Sequence, residues 1–343
     1  MGNYTGIELE QPLISVVIAV CNGQDVVGQA ISSVLRQTHR NIEVVIVDDG
    51  STDNTSRVLE GYAALSRPGR EIRVLRQENA GRAVARNKAL EAVSGDFITF
   101  LAADDTLLPH HLGTLLGRYE DVATSESGSR TVVYANAFVS TTGGITAGRL
   151  QYREKMPRAR RQRSVILDYN FGSLYGLFPR YFFAEVGVFD PEQILVEAWE
   201  LWLRAIYSGW RFDRVEQVTS IVSRTSTSMQ TQRDCVAADE ERALRKTLRR
   251  FDDKLSTEER ATVLRRLNDG SAFAAASEAE QALRDGRGED AKKLLRRAAE
   301  MMPTQRRMRL RSAIANLPGG TRWLVNRQRE VDRGVGHTEH MHG

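Results

Sequence analysis

The first two thirds of the chain alternate short apolar runs with amphipathic stretches. Residues 13–20 form a β-branched apolar run, the pattern of a strand buried on both faces. Residues 24–38 carry Val27, Ala30, Ile31, Val34 and Leu35 at helical spacing. A second buried strand is predicted over 42–47, ending at the turn Asp48-Asp49-Gly50-Ser51. Ser51 or Thr52 is the predicted cap of a helix carrying Val58, Leu59 and Tyr62. A third strand (72–76), a helix (82–93) and a fourth strand (97–101) follow, the last leading into Ala102-Ala103-Asp104-Asp105. Strands alternating with helices predict a largely parallel sheet. Ligands bind such sheets at the carboxyl ends of the strands, so Asp48-Asp49 and Asp104-Asp105 are expected to face one crevice.

After about residue 239 the text turns to Ala, Arg, Glu and Leu with few aromatics, and helices are predicted over 239–248, 257–267, 277–285 and 289–302. Gly286 and Gly288 mark a helix–turn–helix, and one such pair is no repeat array. The expected divisions are a flexible N-terminus (1–11), an α/β domain (12–235), a helical region (236–333) and a disordered tail (334–343).

Composition narrows the classes. The 343 residues include 48 Lys+Arg and 44 Asp+Glu, a net charge of +4, and 41% are hydrophobic. That fraction excludes a wholly disordered chain. Two distant cysteines, Cys21 and Cys235, build neither a disulfide framework nor a multi-cysteine zinc site. A reducing compartment is the default. Residues 1–12 lack the apolar core of a signal peptide, and no run approaches the ~18 apolar residues of a membrane span. A cytoplasmic protein is expected, with peripheral membrane contact as an added reading.

Carboxylates at strand ends point to Mg2+ or Mn2+ and a phosphorylated ligand. The chain has no Gly-x-x-x-x-Gly-Lys-Ser/Thr and no Gly-x-Gly-x-x-Gly after the first strand, which argues against P-loop and dinucleotide-binding chemistry.

Several blocks resemble family 2 glycosyltransferases of the GT-A fold. They are residues 12–22, the block 33–55 ending in Val47-Asp48-Asp49-Gly50-Ser51-Thr52-Asp53-Asn54-Thr55, residues 78–87, residues 95–105, and residues 186–191 followed by 197–204. The resemblance covers roughly residues 12–230. It implies a Rossmann-like three-layer sandwich with a mostly parallel central sheet, here with a C-terminal helical extension. It also implies an inverting transferase that uses a nucleotide-diphosphate sugar, UDP-sugars foremost, and builds polysaccharides or glycoconjugates. By the same resemblance, Ala19, Val20, Asn22, Asp48, Asn79, Gly81, Arg86, Ala103 and Asp104 would bind the nucleotide sugar. Asp104 would hold the metal, and Trp199 would shape the acceptor pocket. The acceptor would be a saccharide, a lipid-linked molecule or a small molecule.

The chain departs from the family pattern near the reacting centre. Ala102 stands where the metal motif often begins with Asp. Ala198 stands where the family has the Asp that serves as base. Thr225 stands where many relatives carry His. Three readings follow. Glu197 or Glu200 takes the base role; or Ala198 is an inactivation of the base; or the domain binds a sugar nucleotide or a partner without turnover. Loss of a general base costs about 10²–10⁴-fold in rate.

The basic run 153–163 is expected at an acceptor loop, facing an acidic acceptor, a lipid phosphate or a membrane, or else as a solvated loop. No nucleic-acid-binding module accompanies it. The Arg-rich segment 304–333 reads as an amphipathic helix on a membrane, on the catalytic domain or on a homodimer partner. His337, His340 and His342 are expected in a disordered end. Trp202 is expected in the core, and Cys21 as a small buried residue near the nucleotide.

Overall fold

The structure, a computed structural model, describes residues 11–124, 126–141, 144–223, 233–270, 272–302 and 306–336. The first part runs β1 (Ile14–Val20), α1 (Val27–Leu35), β2 (Ile42–Asp49), α2 (Thr55–Ala63), β3 (Arg70–Gln77), α3 (Arg82–Ala92), β4 (Phe97–Ala102), β5 (Thr106–Leu107) and α4 (His111–Val122). Next come α5 (Glu126–Ser129), β6 (Thr131–Thr141), β7 (Gly144–Leu150), a 3-10 turn (Ala159–Arg161), α6 (Gln162–Asp168), β8 (Phe178–Pro179), α7 (Tyr181–Val186), α8 (Glu197–Tyr207) and β9 (Arg211–Ser223). The C-terminal helices are α9 (Arg233–Phe251), α10 (Thr257–Asp269), α11 (Ala272–Arg284), α12 (Gly288–Met301), α13 (Arg306–Ala315) and α14 (Gly320–Gly336).

The first sheet has the order β3-β2-β1-β4-β8, parallel except for β8 against β4. Alternate side chains of its inner strands enter opposite layers. Val16, Ile18, Val44 and Ile46 pack with Val27, Ile31 and Val34 of α1 and Leu59 of α2. Val17, Val45 and Val47 pack with Ala83, Ala85 and Ala89 of α3. Both faces are covered, which is why β1 and β2 read as unbroken apolar runs. This is the expected α/β sandwich.

A second sheet, β5-β9-β6-β7, is absent from the strand pattern read in the sequence. Its central pair β6 and β9 is parallel with two register shifts. Leu177, just before β8, bridges to Val133 of β6 and joins it to the first sheet, and Phe178 stacks on the fully buried Trp202 at 5.3 Å. Another difference lies at α2: its N-cap is Asn54 and makes no side-chain cap bond. Ser51 and Thr52 bond across to another loop instead, and the Asp53 carboxylate accepts from Thr55 N at 2.9 Å.

The composition break near residue 235 is not a break in packing. Ala243, Leu244 and Phe251 of α9 and Val263 of α10 lie in the same core as α3 and α8, whereas α11 to α14 close a core of their own. The key tie is polar. Asp239 of α9 is buried, and its Oδ2 accepts from the backbone N–H of Ile194, Leu195 and Val196 at 2.7, 2.6 and 3.2 Å. These groups lead into α8, whose N-terminal end favours a negative charge.

Asp239→Ala leaves those three amides without their acceptor and is expected to cost about 2–3 kcal/mol, read from urea unfolding midpoints. A loss no larger than that of an exposed substitution would show that other contacts hold the 194–196 segment.

Candidate active site

In the order β3-β2-β1-β4 the chain leaves β1 toward β2 on one side and reaches β4 on the other, so a crevice opens at the carboxyl ends of β1 and β4. Val20 pairs with Asp48, and Ala19 with Ala102, so these residues share one end of the sheet. Ala103 packs beside Val20 in the same cluster.

Asp48 is buried. Its Oδ1 accepts from Ser51 N at 2.9 Å and its Oδ2 from Ser56 Oγ at 2.6 Å, with Arg76 Nε at 3.9 Å. Burial pushes the carboxyl up, but these hydrogen bonds and the Arg76 charge outweigh it and hold Asp48 below its ordinary value. Asn22 sits at φ 52°, donates its N–H to Ser51 Oγ at 2.9 Å, and accepts from Thr52 N at Oδ1 at 2.8 Å. Its amide oxygen therefore braces the loop after β1 against the turn after β2.

Asp49 does similar work on the other flank. Its Oδ1 accepts from Ala80 N and its Oδ2 from Gly81 N, at 2.9 and 3.0 Å, and Gln77 Nε2 donates at 2.8 Å. Asn79 Nδ2 donates to Asp49 O at 3.0 Å and to Cys21 Sγ at 3.1 Å. Cys21 is exposed, not buried as expected, because the chain turns outward beyond β1. Gly50 has φ +72°, and a Cβ there would lie 2.6 Å from Asn79 N. Only glycine fits that approach.

The acidic pair after β4 divides its roles. Asp105 is buried, bonded to the Tyr175 hydroxyl, and accepts from Ser223 N at 2.6 Å. Burial and the Asp105 charge push the Tyr175 phenol far up, so it donates. Asp104 is exposed, and its carboxylate makes no hydrogen bond or ion pair among the described residues. Among those residues no cluster of three or more His, Cys, Asp or Glu is placed to hold a metal. The donor set suits a cation that takes one protein carboxylate and completes its shell with phosphate oxygens and water, as Mg2+ does.

Helix α3 carries a second polar cluster. The buried Arg86 donates from Nη1 to Glu197 Oε1 at 2.6 Å, and Arg82 Nη2 lies 3.5 Å from Glu197 Oε2. Asn87 exchanges two bonds with the backbone of Phe189, at 2.7 and 2.9 Å. Both oxygens of Glu197 thus face arginines. Glu200 is buried in a fork with Arg204 at 2.8 Å, and Arg204 also donates to Val186 O and Val188 O. It anchors the segment before α8. Trp199 is buried, donates to Ile166 O at 2.8 Å, and lies under the Arg266 guanidinium at 5.0 Å. Its contacts are with α6 and α10, so it packs inside, where the resemblance implied a residue that shapes the acceptor pocket. Ala198 is partly buried against the core.

The basic run also differs from expectation. Tyr152 lies beside Asn136, Glu154 beside Arg214, and Gln162 beside Phe212. The chain therefore descends β9 toward its start, while Ser223 at the other end meets Asp104 and Asp105. By strand rise the end of the run beside Phe212 lies about 35 Å from Ser223, and its start, beside Asn136 and so level with Val218, about 17 Å. Thr225 and the three terminal histidines lie outside the described residues.

Pairing of the second carboxylates was legible only as Asp-Asp text. Tyr175, Ser223 and Asp239 gave no local sign, because their partners are distant in sequence.

Two outcomes follow from this geometry. Asp48 is lowered in the folded state, so its stabilisation is present above the unfolded value of ~3.9 and is lost as pH falls through the native value. Asp48→Asn should lower stability at neutral pH and flatten its decline below about pH 4, while Glu43, also lowered, keeps a residual slope. Unchanged acid sensitivity would count against this. Arg86→Met should cost about 3–5 kcal/mol by leaving Glu197 buried beside a partly exposed Arg82, and Glu197→Met in the same chain should recover much of it. A double-mutant cycle in denaturant measures both.

Residues 15–178 match the family model described as Glycosyl transferase family 2. An uncharacterized glycosyltransferase of Rickettsia conorii is 28% identical over 203 residues, covering 58% of this chain and 32% of the relative. The putative teichuronic acid biosynthesis glycosyltransferase TuaG of Bacillus subtilis is 43% identical over 95 residues, 28% of this chain and 37% of the relative. The chain spans about a third of the length of the curated relatives it matches. S. aureus TarS 1-349 in complex with UDP-GlcNAc superposes with a TM-score of 0.55 at 16% identity, covering 94% of this chain and 91% of that one. The mannosyltransferase PcManGT from Pyrobaculum calidifontis, in complex with GDP-Man and Mn2+, gives 0.54 at 17% identity, with coverages of 97% and 88%. At these identities the likeness is one of fold, the GT-A type. Residues 15–178, just under half of the chain, are thus similar in sequence to glycosyl transferase family 2, and the fold is that of GT-A transferases.

Proposed function

We propose that the protein is an inverting glycosyltransferase. It moves a sugar from a nucleotide-diphosphate sugar, a UDP-sugar in the first instance, to a hydroxyl of a saccharide, lipid-linked or small-molecule acceptor. The carrying observation is the contrast at the switch-point crevice: Asp48 buried and fully bonded on one side of β1, Asp104 exposed and unengaged on the other. Asp48, braced by Ser51 and Ser56, presents a fixed edge for the nucleoside. Asn79, Gly81 and the backbone of Ala19 and Val20 shape the rest of that side, and Asn22 locks its rim. Asp104, next to Ala103, is the donor for Mg2+ or Mn2+. Such an ion, when bound, neutralises charge on the departing diphosphate. The TarS and PcManGT structures, in complex with UDP-GlcNAc and with GDP-Man and Mn2+, support this donor class.

A second reading has its own observation. Ala198 cannot accept a proton, and Glu197 and Glu200 are each engaged by arginine. The helix therefore offers no free carboxylate at its start, and turnover by this chain is expected to be slow or absent while binding persists.

Calorimetric titration with UDP-, GDP- and dTDP-sugars, with and without Mn2+, tests the first reading. The expected result is saturable binding of a UDP-sugar that strengthens with Mn2+ and weakens at least ~10-fold in Asp104→Asn. Absence of binding by any of them would sink it. For the second, Ala198→Asp is expected to raise transfer by about 10²–10⁴-fold; no gain would mean that the base lies elsewhere.

A further inference from the structure

The C-terminal helices divide their apolar side chains between two faces. Met308, Ala315, Leu324 and Val325 turn inward and close a core with Ala291, Leu295 and Ala298 of α12. Leu310, Leu317 and Trp323 stay outside it, at 61%, 62% and 50% exposure. Leu310 lies in α13 and Leu317 in the turn that follows it. The chain then reverses tightly. Gly320 N donates to Leu317 O at 2.9 Å, and Trp323 N to Gly319 O at 3.0 Å. Trp323 therefore lies in the first turn of α14, directly after the turn that begins at Leu317.

The same stretch is uniformly cationic. Arg306, Arg307, Arg309, Arg311, Arg322 and Arg327 fall between Met301 and Arg329, and no Asp or Glu occurs in that interval. Arg311 is half of an ion pair with Glu280 at 3.0 Å. Arg306, Arg309, Arg322 and Arg327 are exposed, and the Arg327 guanidinium lies over the Trp323 ring at 5.5 Å. Single exposed leucines are ordinary on protein surfaces. Two leucines and a tryptophan set among unopposed arginines combine the two attractions that hold a protein at an anionic lipid surface. No helix among the described residues is long and apolar enough to cross a membrane, so such a contact is peripheral.

We propose that the α13–α14 surface docks on a bilayer carrying anionic headgroups. Leu310, Leu317 and Trp323 enter the boundary between headgroups and acyl chains. Arg306, Arg309, Arg322 and Arg327 meet the lipid phosphates. The inference rests on the helical tail alone and holds whether or not the crevice turns over a sugar.

The tryptophans provide the test. Of the four, Trp199, Trp202 and Trp210 are buried, so Trp323 dominates any change in environment. The full chain is titrated with vesicles of phosphatidylcholine, and of phosphatidylcholine mixed with phosphatidylglycerol. Expected are a blue shift of tryptophan emission and co-sedimentation with the anionic vesicles only, both weakened by added salt. Changing Leu310, Leu317 and Trp323 together to Ser should reduce partitioning ~100-fold while leaving the circular-dichroism melting curve unchanged. Arg309→Gln, Arg322→Gln and Arg327→Gln combined should also abolish the preference for anionic lipid. No binding to either vesicle, equal binding to both, or full binding by the triple Ser variant overturns the proposal. So does a wild-type chain that self-associates without lipid and becomes monomeric in the triple Ser variant, which assigns the patch to a second copy of the chain.

Discussion

A carboxylate taken out of water must be given donors, and this constraint organises the molecule. At the amino end of the sheet, buried Glu43 accepts from Ser15 Oγ at 2.5 Å and from Gly95 N at 3.0 Å, tying β2 to β1 and to the start of β4. At the carboxyl end, Asp48 and Asp49 bind the turns on either side of β2. Asp105 gathers Tyr175 and the end of β9. Asp239 collects three amides ahead of α8. All but Asp48, whose donors are the nearby Ser51 and Ser56, join segments far apart in sequence, and each would carry a penalty of several kcal/mol if its donors were lost. Asp104 is the exception in the crevice, exposed and unengaged among the described residues.

The same constraint accounts for the pairing of the α8 glutamates with arginines. Arg86 lies on the α3 face toward α8, and Glu197 completes its charge in a buried setting. Arg204 does the same for Glu200 one turn later. Both pairs fix the loop 186–197, which Asn87 and Asp239 also hold. The helix that carries Ala198 is thus positioned by four polar ties from α3, α8 itself and α9. The tail is part of the scaffold of the crevice, through α9 and α10, while α11 to α14 stand on their own core.

Much of the first sheet was legible because its strands are buried on both faces and its helices are amphipathic. Predicted and observed limits agree within a few residues for β1 to β4 and α1 to α3. The second sheet was not, because β9 mixes Arg, Asp, Glu and Gln with apolar residues and its β6 pairing is interrupted by register shifts. Ser51 and Thr52 illustrate a different failure. Each is a good local cap, but a partner across the crevice, Asn22, competes for the same groups.

The amino-acid sequence by itself determined the alternation of strand and helix, the carboxylates at strand ends, the family resemblance, and the absence of a carboxylate at position 198. Those are properties of residue type and local periodicity. Only the tertiary structure decided that Asp105 is buried while Asp104 is exposed, that Trp199 packs inside, that the basic run extends along β9 away from Ser223, and that Leu310, Leu317 and Trp323 remain outside. Burial and ion pairing depend on segments a hundred residues away, and desolvation is settled only when those segments meet.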